Sequence, residues 1–308
     1  MRGSPFRTSV LFILCTWFLL TEQAHCQDLE PRRWTPLPAG TSILGAGYSK
    51  TTGDIALDPL LLLEDGTADV DSLVISYSRF FVLGRKLGRF DAIIPLQHAN
   101  WNGLLDGAPA SVTREGIADP IFRLSMILLG APVVGAGQQP QGATTRRVNT
   151  VVGAAIAVGA PLGDYLDDKL LNLGQNRYVI RPQIGIVHTR GPWSYELTGS
   201  TFFPTDNDAF FNGKKRQQDP TFAIQTHLIR VFQPGLWASL SAAYGWGGEN
   251  TVDAVPKDDN RRDVLVAASM GFPVARNQGV KFAYIASRKN TDTGSNLDTL
   301  AVSWSLRF

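Results

Sequence analysis

Cysteine is nearly missing from this 308-residue chain, which has two, Cys15 and Cys26. That scarcity excludes a disulfide scaffold and any cysteine-rich zinc centre. Charge is sparse as well, at 18% of residues, where an average soluble domain carries roughly a quarter. The 29 Lys and Arg nearly cancel the 27 Asp and Glu, so the basic footprint of a nucleic-acid binder is not there. Thirty glycines and eighteen prolines leave little room for long helices. After the first 26 residues no apolar run is long enough to span a bilayer as a helix.

Residues 1–26 read as a secretory signal peptide. Arg2 and Arg7 give a positive start, Val10–Leu20 is an apolar stretch of signal-peptide length, and Ala24 and Cys26 are the small residues expected before cleavage at Gln27. Lipidation of Cys26 is the second reading, disfavoured by the bulk of His25 before it. Cleavage removes both cysteines, so the exported chain must be held by its backbone ladder and packing alone.

What is present is alternation with a period of two. In the last segment Leu300, Val302, Trp304, Leu306 and Phe308 alternate with Thr299, Ala301, Ser303, Ser305 and Arg307. Successive side chains of a strand point to opposite faces, so one face is apolar and the other small or polar. The pattern recurs in twelve segments, near 41–50, 69–83, 87–101, 117–130, 147–160, 177–189, 191–204, 219–233, 235–247, 261–275, 279–289 and 298–308. Most have the roughly 9–11 residues of a tilted membrane-spanning strand, or slightly more.

The links alternate too. Short ones around Arg85, Gly191, Gly235 and Gly279 trade with long polar ones at Thr51–Ala68, Pro204–Asp219 and Gly247–Asn260. Short turns on one side and long loops on the other are the mark of a transmembrane barrel. The exception is Gly130–Arg146, which is long where a short turn is expected. A soluble sandwich or lipocalin-like barrel would carry Lys and Glu opposite its apolar stripe, whereas here that face is Ser, Ala and Gly with few charges. Trp101, Tyr178, Trp193, Tyr244, Trp246 and Phe272 near strand ends read as interfacial girdles. The expected fold is all-β: a transmembrane antiparallel barrel of about twelve strands spanning 41–308, both termini periplasmic, in a Gram-negative outer membrane.

With the apolar stripe toward lipid, the other stripe lines the lumen. This assigns Arg89, Asp91, Gln97, Arg123, Ser125, Arg181, Gln183, Glu196, Gln225 and His227 to a solute pathway. Such charges are costly in a membrane unless they face water or each other, so paired packing, for example Arg181 with Glu196, competes with solute contact. Residues 27–40 form a separate segment with three prolines that cannot easily join a ladder. It reads as a lumenal stopper anchored by Trp34 or as a periplasmic tail.

A lipid hydrolase of this size would place a Ser two residues from a His on one strand face. His98, His188 and His227 have no such neighbour, and they have no acidic partners at metal-ligand spacing. Asp54 with Asp58, Asp167 with Asp168, and Asp258 with Asp259 read as solvated loop charge rather than calcium sites. No catalytic residue, metal or cofactor is expected.

The stretches GDIALDP from Gly53, DGAPASVTREGIADPIFRLSMILLGAP from Asp106, NLGQNRYVIRPQIG from Asn172 and DPTFAIQTHLIRVFQPGLWASLSAAYGWGG from Asp219 carry a resemblance. DLEPRRW from Asp28 and LDTLAVSWSLRF from Leu297 extend it over the mature chain. The chain resembles the outer-membrane transporters associated with the meta-pathway of phenol degradation. The resemblance implies an outer-membrane barrel linked to catabolism of aromatic compounds. It departs from the family pattern at Ile117–Pro120, where Ala118 stands in place of a glycine before the Asp. The terminal Trp304 and Phe308 also resemble the C-terminal signal read by the barrel-assembly machinery. The expected function is passive uptake of a small hydrophobic or aromatic solute. The alternative is a non-transporting structural or surface-interaction barrel, and the expected surroundings are outer-membrane lipid.

Overall fold

A computed structural model describes residues 29–56, 63–105, 107–131 and 148–308. The signal segment and most of the Gly130–Arg146 link lie outside the described residues. The described chain contains no helix. Its strands are β1 (Ser42–Ala56), β2 (Leu63–Leu83), β3 (Lys86–Leu105), β4 (Ala108–Ile117), β5 (Ile121–Leu129), β6 (Val148–Gly159), β7 (Val179–Arg190), β8 (Trp193–Pro204) and β9 (Asn207–Phe210). They continue as β10 (Lys214–Gln218), β11 (Thr221–Gln233), β12 (Leu236–Gly247), β13 (Asn250–Val252), β14 (Val255–Pro256), β15 (Arg261–Ala275), β16 (Gln278–Lys289) and β17 (Gly294–Arg307).

Thirteen of these make one antiparallel sheet in the order β2-β1-β17-β16-β15-β12-β11-β8-β7-β6-β5-β3-β4, and the β2–β3 pairing closes it into a ring. Closure removes every long edge, which is what lets a sheet stand in lipid. β3 serves two partners: Gly88–Ile93 pair with β5, and Leu96–Leu105 pair with β4. β4 and β5 therefore share one position, and the barrel has twelve.

The break between them, Ala118–Pro120, corrects the expectation of one strand over 117–130. Ala118 donates its N–H to the Pro95 carbonyl at 3.0 Å, and the Asp119 carboxylate accepts from the N–H groups of Gly163 and Gln175 at 3.0 and 2.8 Å. Asp119 thus fixes the loop that follows β6. An ordinary φ at position 118 suffices for this geometry, so Ala118 meets it without a glycine's conformational freedom. The left-handed backbone falls instead at Gly116, with φ +153°.

The tight turns β2–β3, β7–β8, β11–β12 and β15–β16 all lie at one end of the barrel. Ser42 and Phe308 exchange backbone hydrogen bonds of 2.8 and 2.9 Å at that same end. At the opposite end β1, β2, β3 and β4 rise well above β5 to β8, because Thr51–Ala68, expected to be a link, is largely strand. The links 205–220 and 248–260, also read as loops, carry β9, β10, β13 and β14, which pair into a second, four-stranded sheet over the long-loop end.

The barrel thus has two storeys. In the lower one, toward the tight turns, the outward positions are apolar: Ile184, Leu240 and Leu300 are each at least 60% exposed. The inward positions there are polar and buried. In the upper storey the faces exchange. Outward stand Lys50, Asp69, Asp71, His98 and Glu115, joined by ion pairs among themselves. Inward, Ala68, Ala99 and Trp101 pack with Val70 and Val112, and with Leu171 and Leu173 from the loop 160–178. Trp101, expected in a girdle, is therefore a buried interior side chain.

Candidate functional site

The lower lumen is occupied by residues 29–41, which descend inside the wall from Glu30 at the level of Arg123 to the tight-turn end, where β1 begins. Two neighbouring strands make room for this. Gly153 on β6 and Gly185 on β7 are register partners, and a Cβ at either would overlap the Trp34 indole. Trp34 lies in that slot, 2% exposed, against Val151 and Val187, and donates from Nε1 to Thr198 Oγ1 at 2.8 Å. Beside the indole, the space left toward Phe80, Leu87 and Ile127 is about 10 Å³, at the lower limit for one water.

Charge fixes the segment on the other side. The Arg123 guanidinium bridges two carboxylates, donating from Nη2 to Glu30 Oε2 at 2.8 Å and from Nε to Asp91 Oδ2 at 3.2 Å. Arg33 donates to Glu30 at 3.1 Å and to Ser125 Oγ at 3.2 Å. Arg89 donates to Asp91 at 2.6 Å and to the Arg33 carbonyl at 3.3 Å, while Ser78 donates to the same Asp91 oxygen at 2.6 Å. Arg32 completes the fastening: its backbone N–H gives a 2.9 Å bond to Glu196 Oε2, and its guanidinium lies over the Trp237 ring. Burial alone would raise the Glu30 carboxyl. The charges of Arg123, Arg33, Arg89 and Arg181 outweigh that and hold it well below its ordinary value.

Each residue assigned to the lumen from alternation faces inward. Arg89, Asp91, Arg123 and Ser125 form one cluster with the segment. Gln97 bonds Ser72 at 3.2 Å, higher up the wall, and His227 bonds Ser241 at 2.7 Å. The expected Arg181–Glu196 pairing is corrected by the register, which sets Val187 opposite Glu196. Arg181 instead lies over the Phe202 ring at 5.1 Å. Among the described residues the buried carbonyl oxygens of Gln97, Gln183 and Gln225 have no protein donor, leaving three acceptors free inside the barrel. Trp304 faces out and donates to Gln278 at 3.0 Å, and Phe308 is exposed on the rim.

Residues that alternation did not single out complete the site. Thr198 and Gly185 matter because Trp34 fills the space beside them. Trp101, Leu171 and Leu173 matter because the loop 160–178 packs its apolar side chains against the inner face of the upper wall there. Among the described residues no group of three or more metal-ligating side chains exists.

An apolar belt outside, a polar interior and a closed twelve-strand ring define an outer-membrane β-barrel. A family model described as "Putative MetA-pathway of phenol degradation" matches residues 46–302, and the chain belongs to that family. The fold is shared with an outer membrane channel from Pseudomonas putida F1, at TM-score 0.77 and 20% identity, covering 91% of this chain and 100% of that one. The transport unit of the autotransporter AIDA-I from Escherichia coli is more distantly similar, at TM-score 0.48 and 8% identity, covering 92% and 94% of the two chains. No curated protein sequence matches this chain.

Proposed function

We propose that the protein is a passive outer-membrane conduit for small aromatic or hydrophobic solutes, gated by residues 29–41. The short-turn end and both termini face the periplasm in this reading, and the capped storey faces outward. The observation that carries it is the stacking of two unlike interiors in one barrel: apolar packing of Trp101, Leu171 and Leu173 in the upper storey, and in the lower one a polar lumen closed by Trp34 and its charged neighbours. An apolar ring slipping beneath the loop 160–178 exchanges one apolar contact for another. A hydroxyl on that ring finds the unpaired carbonyl oxygens of Gln183 and Gln225 in the second, so a phenol-like solute suits both. Passage requires the segment to shift, and the concentration of its anchors in Glu30–Trp34 makes that a local event. Assembly through Trp304 and Phe308 belongs to the same reading.

The test is uptake of labelled phenol by proteoliposomes holding the refolded barrel, against empty liposomes. Protein-dependent flux that rises when residues 29–40 are deleted is expected. Baseline flux from a barrel shown to be folded by its heat-modifiable migration overturns the proposal. That result would favour the second reading, a non-transporting barrel whose capped loops are the working surface, to which the close packing around Trp34 lends support.

A further inference from the structure

The outer wall holds a feature that solute passage does not use. On the lipid side a depression of about 950 Å³ extends from Trp193 on β8 across β11, β12, β15, β16 and β17 to Lys50 on β1, with the small side chains of Ala238 and Ala268 between Leu240, Met270 and Phe282. Its lower margin, near the tight turns, is formed by Arg230. This guanidinium points outward and lies between two rings, 5.2 Å from the Trp193 centroid and 5.0 Å from that of Phe232. Trp193 is its register partner on β8.

Arg230 differs from the other basic groups around it by lying against the depression. The short-turn rim carries Arg79, Lys86, Arg190 and Arg276 on its outside. Among the described residues it carries no outward Asp or Glu. Arg79 and Lys86 donate to carbonyl oxygens of the protein. Arg230 makes no hydrogen bond or ion pair with any described residue, and its five donors are aimed at the membrane interface. A cation at that depth is tolerated only near the headgroups, where aromatic faces position it without neutralising it.

We propose that Arg230 and the depression above it form a binding site for one anionic glycerophospholipid. The phosphate takes the fork of guanidinium donors, Trp193 and Phe232 flank the glycerol region, and an acyl chain fills the apolar depression. The one-signed rim raises the local concentration of anionic headgroups; Arg230 is the rim cation that lines the depression, and Lys50 at its far end is already paired with Asp69 and Asp71. In the orientation proposed above this lipid belongs to the inner, phospholipid leaflet. The site itself does not depend on transport.

The full mature chain is reconstituted in vesicles containing either brominated phosphatidylglycerol or brominated phosphatidylcholine, and the Trp193 contribution to quenching is isolated by subtracting the signal of Trp193→Phe. Both leaflets carry the lipid, so the outcome is independent of insertion direction, and phenol uptake by the same vesicles reports separately on the conduit. A single guanidinium–phosphate contact at the surface predicts about five-fold stronger quenching by phosphatidylglycerol. That preference is lost in Arg230→Leu and kept in Arg276→Leu, a rim arginine away from the depression. Should Arg230→Leu not give a heat-modifiable barrel, Arg230→Gln makes the same comparison. Equal quenching by the two lipids overturns the proposal, and so does equal loss in both variants, which would reduce the effect to a diffuse collar. Dimers that bury the depression against a second copy overturn it as well.

Discussion

The lower and upper storeys are built by the same strands with opposite polarity. On β3, Asp91 faces the lumen below and Trp101 faces it above, ten residues along one continuous strand, while the outward side passes from Ile94 and Leu96 to His98 and Asn100. The alternation does not slip between them, so what changes is the medium outside. Below, lipid takes the apolar stripe and the interior must satisfy its own polar groups, which it does with residues 29–41. Above, water takes the polar stripe and the interior closes over apolar loop residues, as in a soluble barrel. A period-two pattern therefore reports that a strand has two unlike faces, and the surroundings decide which one is inside.

The strongest way to break this comparison is to empty the lower interior. Trp34→Ala removes the one large apolar anchor of the segment and should cost about 3–5 kcal/mol of its docking. Limited proteolysis would then cut within 29–41 while the barrel still migrates as folded. The upper apolar cluster, which has its own contacts, should keep its protection. Next comes the exterior. Leu240→Arg, in the middle of the apolar belt, should lose about 2–4 kcal/mol in urea unfolding from vesicles, whereas Asn102→Arg on the upper exterior should unfold with the wild type. An equal loss at both positions would mean that lipid covers both storeys.

A smaller effect is expected from pH. The Glu30 carboxyl is held below its ordinary value by the surrounding arginines, so its contribution to docking is complete at neutral pH. That contribution is lost only as the pH falls through the depressed value. Trp34 fluorescence should accordingly be constant down through the usual carboxylate range and change below it, and Glu30→Gln should abolish that acid step. The smallest effect belongs to the upper exterior. Lys50 touches Asp69 and Asp71 in full contact with water, so Lys50→Ala should leave the unfolding midpoint within measurement scatter.

Much of the lower storey was legible because its chemistry is monotonous. Strands such as β12 and β15 put Leu, Val, Met or aromatic residues on one face and Ser, Ala or Gly on the other, and their bounds agree with the sequence reading within about two residues. The lumenal set followed from the same stripe. The upper parts of β1 and β2 do not show in the alternation because Thr52 and Asp54 put polar groups on the very face that is apolar lower down, and a search for one continuous stripe stops there. β4 was missed for the same reason, since Thr113 and Glu115 stand where lipid-facing residues were sought. The Arg181–Glu196 pairing failed on register: alternation tells which face a residue takes, but its partner across the sheet depends on turn geometry and on the position of every preceding strand. The place of residues 29–41 could not be read either, because the slot at Gly153 and Gly185 exists only once β6 and β7 are side by side.

The seam between β1 and β17 joins the first and last strands of the chain through fourteen register pairs, from Ile43 with Arg307 to Ala56 with Gly294. No other junction in the wall requires contacts of such long range, and loop closure of that length is the slow kind. The ring can shut only after the carboxyl end has arrived. The anchors of residues 29–41 do not depend on that seam, because Arg123, Ser125, Gly153, Gly185, Thr198 and Trp237 all lie on β5 to β12. The middle of the wall therefore offers the segment its seat before the ends of the sheet meet, and the seam closes the cylinder around contents already in place.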